Sequence, residues 1–291
     1  MRILHLTDTH LFAEAGTLHY DRIDTDVALR AVLDRLTDLE QIDLVVHTGD
    51  ASEDGSVASY RRLYELLHPF AARLGAPLAV AMGNHDVSAH HAEVAGEGES
   101  GPGHQDRVVE IPGKGRAVVL DTSVPGAGYG NLEAQQLSWL RQVLSDPAPG
   151  EAGTVLVMHH APLAGPTRMM RSLELQNRDE LAEILSGSDV RIVLAGHYHT
   201  AMSGSFVGIP VHVAPGITNV VDPLTAGDSE RALALSGANL VEFAGGSSAP
   251  RVTSSIWPNV GDAAADITCP VYEFGPEMID RIAAEAGPQG R

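Results

Sequence analysis

Seven residues of this chain have side chains suited to binding transition-metal ions, and they fall in a fixed order. They are Asp8 and His10 in Asp8-Thr9-His10, Asp50 in Gly49-Asp50, Asn84 in Gly83-Asn84-His85-Asp86, His159, and His197 and His199 in Gly196-His197-Tyr198-His199. Carboxylate, imidazole and amide oxygen suit borderline Fe, Mn, Zn or Co rather than soft copper or an all-oxygen calcium cage. Two such ions held about 3.5–4 Å apart clamp both the attacking and the leaving oxygen of an in-line displacement at phosphorus. A carboxylate is a natural bridge, since each of its oxygens can take one ion. The chemistry expected of the set is cleavage of phosphate esters by two metal ions, with no side-chain nucleophile. No G-x-S-x-G elbow or Walker phosphate loop is present.

Such a site requires a scaffold that gathers residues far apart in sequence. Apolar runs rich in Val, Ile and Leu predict strands near 2–7, 43–48, 78–82, 116–121, 154–159 and 190–195. Helical spacing of apolar residues predicts helices over 25–39, 56–74 and 132–144, with a further one over 177–186. Strands apolar on both faces and alternating with helices imply a layered α/β fold. Every ligand-type residue then lies just beyond the C-terminal end of a strand, the edge at which such sheets build sites. On extended backbone, Asp8 and His10 would point to one side, as would His197 and His199. Gly83 and Gly196 are read as positions where backbone passes close to the site.

Later in the chain, Phe206–Ile209, Val211–Ala214 and Asn239–Phe243 read as added strands, the first two flanking Pro210 and forming part of a possible second sheet. Segments 96–105 and 244–250 read as loops, 251–257 as a strand and 277–286 as a helix. The expected organisation is one catalytic domain over 1–243 and a C-terminal extension over 244–291 that packs on it or extends it.

Composition narrows the function. At 44% hydrophobic and 20% charged, the chain is an ordinary globular protein. A net charge of −19 argues against general nucleic-acid binding. A small anionic substrate must be drawn in locally, and two multivalent ions against two carboxylates leave the site positive. The single cysteine, Cys269, excludes an internal disulfide framework and suits the cytosol. No secretory signal or membrane-spanning run is read from the sequence. The expected location is cytoplasmic, with peripheral contact to the membrane or envelope as the alternative.

The pattern D-x-H, G-D, G-N-H-D, H, G-H-x-H resembles the calcineurin-like metallophosphoesterase superfamily. Within it the chain is most similar to bacterial class III cyclic-nucleotide phosphodiesterases. Leu120-Asp121-Thr122-Ser123-Val124-Pro125-Gly126 and Phe206-Val207-Gly208-Ile209-Pro210 resemble the mycobacterial branch in particular. The resemblance covers roughly 1–243. It implies a four-layer sandwich, two β-sheets flanked by helices, and usually a homodimer. It places one ion on Asp8, His10, Asp50 and His199 and a second on Asp50, Asn84, His159 and His197, with Asp50 bridging. His85 would not ligate a metal. It would face the substrate phosphate beside Asn84 and stabilise charge or protonate the leaving oxygen. The implied reaction is hydrolysis of a small phosphodiester, 3',5'-cyclic AMP foremost, by a metal-bridging hydroxide. The alternatives are a broader phosphodiesterase for 2',3'-cyclic nucleotides or glycerophosphodiesters, and an envelope-associated binding protein with incidental hydrolase activity.

One stretch departs from the family's G-D-L-x-D-x-G, reading Gly49-Asp50-Ala51-Ser52-Glu53-Asp54-Gly55; the expected consequence is confined to packing of the following loop. The remaining histidines, His5, His19, His47, His68, His90, His91, His104, His160 and His212, are read as surface or satisfied core residues. Only the family pattern separates His159 from its neighbour His160. His90 and His91 are placed in a polar loop. Asp121 is read as structural.

Overall fold

The computed structural model describes residues 1–100, 103–150, 152–225, 228–243, 249–260 and 269–289. Two sheets carry the fold. The first has strand order Arg251–Pro258, Leu235–Glu242, Arg2–Leu6, Leu44–His47, Leu78–Val80; its last three strands are parallel and its first two antiparallel. The second runs Met202–Phe206, Ile209–Val213, Val190–Ala195, Gly153–Val157, Gly115–Val119, Arg107–Ile111, with parallel strands at its centre and an antiparallel strand at each edge.

Alternate residues of these strands explain why they read as continuous apolar runs. Ile3, Leu44, Val46, Val119, Val155, Val157, Ile192 and Leu194 form one buried cluster between the sheets. Their neighbours Leu4, Val45, Val118, Leu156 and Val193 point the other way, into a core shared with the helices. A strand buried on both faces has no polar face to show. Helix Thr25–Arg35 starts at the Asp24 cap, which accepts from Val27 N at 3.1 Å. Helix Val57–Leu74 starts at Ser56 and stops at Gly75, whose φ of 68° is left-handed.

A third, three-stranded sheet of order Val220–Val221, Glu230–Leu233, Tyr272–Phe274 brings the end of the chain back to the body. Helix Pro276–Ala286 follows, and Ala286 O accepts from Gly128 N at 2.8 Å. Strand Arg251–Pro258 pairs along the whole of Leu235–Glu242. Residues 244–248 of the expected 244–250 loop, and 101–102 of the 96–105 loop, lie outside the described residues.

Three local expectations are corrected. Phe206–Ile209 is not one strand, because Val207 (φ 46°) and Gly208 (φ 83°) form the turn of a hairpin in which Ser205 pairs with Pro210. His90 and His91 lie in helix Ser88–Ala95 and not in a polar loop. His91 is fully buried between the Tyr64 hydroxyl (2.8 Å) and Gln105 Oε1 (2.9 Å), which satisfies both ring nitrogens. The third concerns the backbone of the site.

Candidate metal centre

Loops from both sheets meet at one edge. Asp8 and His10 follow strand Arg2–Leu6, Asp50 follows Leu44–His47, and Asn84 and His85 follow Leu78–Val80. From the second sheet, His159 follows Gly153–Val157, and His197 and His199 follow Val190–Ala195. The loops are laced by backbone bonds: Asp8 N to Gly49 O, His10 N to Asp50 O and Gly196 N to His159 O, each 3.0 Å, and Thr218 N to Asp8 O at 3.1 Å.

The backbone here is not extended. Asp8, His10, Asp50, His197 and His199 all have positive φ, between 46° and 71°. Left-handed backbone costs a non-glycine residue on the order of 1 kcal/mol. Each loop thus turns sharply as it leaves its strand, and the side chains converge through this turn rather than through strand alternation. Gly83 and Gly196 make room for it. A Cβ on Gly83 would collide with the Asp50 carboxylate, and one on Gly196 with the Thr7 hydroxyl.

Ligand-type atoms of Asp8, His10, Asp50 and His199 all lie within 4.8 Å of one another. His199 Nε2 is 3.2 Å from Asp8 Oδ1, His10 Nε2 is 3.7 Å from Asp50 Oδ2, and the Nε2 atoms of His10 and His199 face each other at 3.2 Å. On the other side of Asp50, its Oδ2 is 3.2 Å from His159 Nε2, which is 3.2 Å from Asn84 Oδ1. His197 joins this side, its ring 5.1 Å from that of His159.

Outer contacts fix which nitrogen faces inward. His10 Nδ1 meets Glu53 Oε2 at 2.6 Å, His159 Nδ1 donates to Thr48 O at 2.7 Å, and His199 Nδ1 meets Asn219 Oδ1 at 3.1 Å. His197 instead donates from Nε2 to Leu173 O at 3.0 Å, leaving Nδ1 for the interior. An imidazole anchored this way presents a bare nitrogen to a cation. Asp8 Oδ2 is buried with no hydrogen-bond partner. These inward nitrogens and the orphaned carboxylate oxygen fit a cation-binding role. His160 clusters with His159 and His197, their ligand-type atoms within 4.8 Å of one another, but Thr122 Oγ1 (2.8 Å) and Gly128 O (3.2 Å) engage its two ring nitrogens.

The electrostatics agree. Burial opposes ionisation of Asp50 and Asp8, yet the surrounding imidazoles hold both well below the usual carboxylate range. Burial also pulls His159 down, but Asp50 and Asp8 outweigh it and raise it to about 9. Asp86 accepts from Gly83 N (2.8 Å), Ser52 N (3.0 Å) and Ala51 N (3.2 Å), tying the Asp50 loop to the Asn84 loop. Asp121 accepts from Ser88 Oγ and Gln105 N, at 2.8 and 3.1 Å.

Two site residues escaped the sequence reading. Glu53 Oε2 is within 2.6 Å of His10, 3.1 Å of His85 Nδ1 and 3.5 Å of His19 Nε2. The departure from G-D-L-x-D-x-G therefore falls on a residue of the site, not only on loop packing. His19, read as background, lines the site cavity together with Tyr20. The signal for Glu53 was an acidic residue three positions after Asp50; His19 carried none. His85, its side chain 39% exposed, lies outside the ligand clusters. Burial pulls its imidazole down, but Asp50 and Glu53 push it up to about 10.

Two sheets with parallel centres thus bring ligand-type residues to one shared edge. The family model for calcineurin-like phosphoesterases matches residues 1–201, and the chain belongs to that family. It is 40% identical over 241 residues to the cAMP/cGMP dual specificity phosphodiesterase of Mycobacterium tuberculosis, covering 82% of this chain and 74% of that protein. It is 35% identical over 199 residues to the 3',5'-cyclic adenosine monophosphate phosphodiesterase of Pseudomonas aeruginosa, covering 68% and 69%. Among solved structures, a purple acid phosphatase from yellow lupin seeds shares the fold, with a TM-score of 0.55 and 13% identity over 82% of this chain and 48% of that one.

Proposed function

We propose that the protein is a metal-dependent phosphodiesterase that hydrolyses 3',5'-cyclic nucleotides, cyclic AMP foremost. The observation that carries this reading is the convergence of inward-facing imidazole nitrogens on the carboxylates of Asp8 and Asp50. The similarity to two cyclic-nucleotide phosphodiesterases supports the substrate class.

Asp8, His10, Asp50 and His199 would hold one ion; Asp50, Asn84, His159 and His197 would hold the other. Bound there, two Fe, Mn, Zn or Co ions supply Lewis acidity and make hydroxide available near neutral pH. The chain's own residues do the rest. Glu53 occupies His85 Nδ1 and leaves Nε2 to the cavity. As a hydroxide oxygen adds to phosphorus and the P–O bond to the sugar breaks, protonated His85 would give its proton to the departing sugar oxygen. Glu53 positions His85 and His10.

A second reading, a broader phosphodiesterase, draws on a cavity of about 930 Å³ on the far side of Asn84 and His85, roomy enough for a longer diester. We infer a homodimer from the family resemblance, and light scattering on the purified protein checks it. No helix of the described residues is long and apolar enough to cross a membrane. We place the enzyme in the cytosol, where a single reduced cysteine is at home; cell fractionation checks that.

The deciding experiment assays 3',5'-cyclic AMP, 3',5'-cyclic GMP, 2',3'-cyclic AMP and glycerophosphocholine with protein loaded with each of the four metals. The 3',5'-cyclic nucleotides should have the highest kcat/KM. A preference for either of the other two would replace the reading with the broader one.

A further inference from the structure

The cavity that holds the candidate ligands does not end at them. Its volume is about 220 Å³, and one part of its wall comes from the three-stranded sheet and the turn after residue 18. There Tyr272 and Phe274 stack on each other, ring centroids 4.3 Å apart and 15° between planes, with Tyr20 4.9 Å from Tyr272 and 6.1 Å from Phe274. Directly across the strand pair from Phe274 sits Glu230. Its side chain is fully buried, lines the same cavity, and takes one hydrogen bond, from the Thr167 hydroxyl to Oε2. Its other oxygen, Oε1, has no partner. A buried carboxyl oxygen without a donor is costly and calls for one. Among the described residues Glu230 makes no hydrogen bond or ion pair with a candidate ligand, although His199 is near enough to act on its charge. The larger cavity beyond His85 has no buried, unpartnered polar side-chain atom on its described lining.

We propose that Tyr20, Tyr272, Phe274 and Glu230 form a nucleobase subsite, in which the rings stack on the base and Glu230 Oε1 accepts a hydrogen bond from its exocyclic amino group. Aromatic faces bind any base, since each has a π-face. The buried acceptor supplies the discrimination, because a site built to pair with an N–H rejects the analogue that lacks it. The subsite rests on the cyclic-nucleotide reading above. It also assigns a role to residues beyond 201, where the family match ends.

The test compares 3',5'-cyclic AMP with 3',5'-cyclic IMP, in which an oxo group replaces the 6-amino group, using manganese-loaded full-length protein. Wild type should prefer cyclic AMP by roughly 10–100-fold in kcat/KM. Glu230→Leu should shrink that ratio to about three-fold or less, whatever it does to the absolute rate, while Glu230→Gln, which keeps a carbonyl oxygen, should retain most of it. Tyr20 is 47% exposed, so Tyr20→Ala should fold and should raise KM for both nucleotides by roughly five-fold or more. A wild-type ratio near one, a Glu230→Leu ratio equal to wild type, or an unchanged KM in Tyr20→Ala overturns the subsite. Turnover of bis(p-nitrophenyl) phosphate with neither cyclic nucleotide cleaved overturns the cyclic-nucleotide reading itself and the subsite with it.

Discussion

Behind His10 stands a carboxylate, Glu53 at 2.6 Å, whereas behind His159 and His197 stand only the backbone carbonyls of Thr48 and Leu173, at 2.7 and 3.0 Å. The facing groups differ in the same sense. The Asp8 side of the centre has two carboxylates, Asp8 and Asp50, and the Asn84 side has Asp50 and a neutral amide. A carboxylate behind an imidazole raises its basicity and its hold on a metal, and a second facing carboxylate adds charge. The two candidate positions, although they share Asp50, should therefore differ in affinity, with the Asn84 side releasing its ion first.

Removing the shared group should have the largest effect. Asp50→Ala is expected to lose both ions together and turnover with them, as read by elemental analysis alongside an activity assay. Retention of one tightly held ion would break the picture of a common ligand. Next comes His85→Ala, which should keep both ions and slow turnover by about 10²–10⁴-fold, the range for a lost acid–base group. A drop in metal content in that variant would move His85 into the ligand set. The contrast between the sides is tested by a pair of substitutions. Asn84→Ala should leave close to one ion per chain, while Glu53→Gln should keep the stoichiometry and weaken the Asp8-side ion by about 10–100-fold in a chelator titration. If Glu53→Gln instead empties the Asn84 side, the asymmetry runs the other way.

A histidine outside the centre gives the smallest and most general effect. Burial pushes His91, held neutral between Tyr64 and Gln105, down to about 4. Below its unfolded value near 6.5 the unfolded chain binds the extra proton, so stability falls as pH drops from about 6.5 towards 4. Between pH 6.5 and 5 this amounts to about 2 kcal/mol. Urea unfolding at the two pH values should show the loss, and His91→Gln should flatten the slope; parallel slopes would exclude His91 as its source.

Sequence revealed the parts of this molecule that repeat a strong local signal. Six strand runs and four helices stand close to where their periodicity put them, because a residue buried on both faces of a sheet must be apolar whatever its neighbours are. Strand Arg107–Ile111 was missed: it is an edge strand with Arg107 and Glu110 in it, and its exposure pattern is mixed. The three-stranded sheet was invisible because its strands are two to four residues long and exist only through pairing between distant segments. In the centre, residue type and order marked the ligand-type residues, but the left-handed turns that aim them leave no trace in side-chain type. Glu53, His19 and Glu230 matter through neighbours 32 to 63 positions away, and one sequence read alone carries no such pairing.

The proposed chemistry requires the Asp50 carboxylate to be shared between two cations. Anomalous diffraction from crystals of the manganese-loaded protein tests it most directly. Two anomalous peaks about 3.5–4 Å apart are expected, with Asp50 contacting both, Asp8 on one and Asn84 on the other. A single peak at saturating manganese, or two peaks with no common carboxylate, would contradict it.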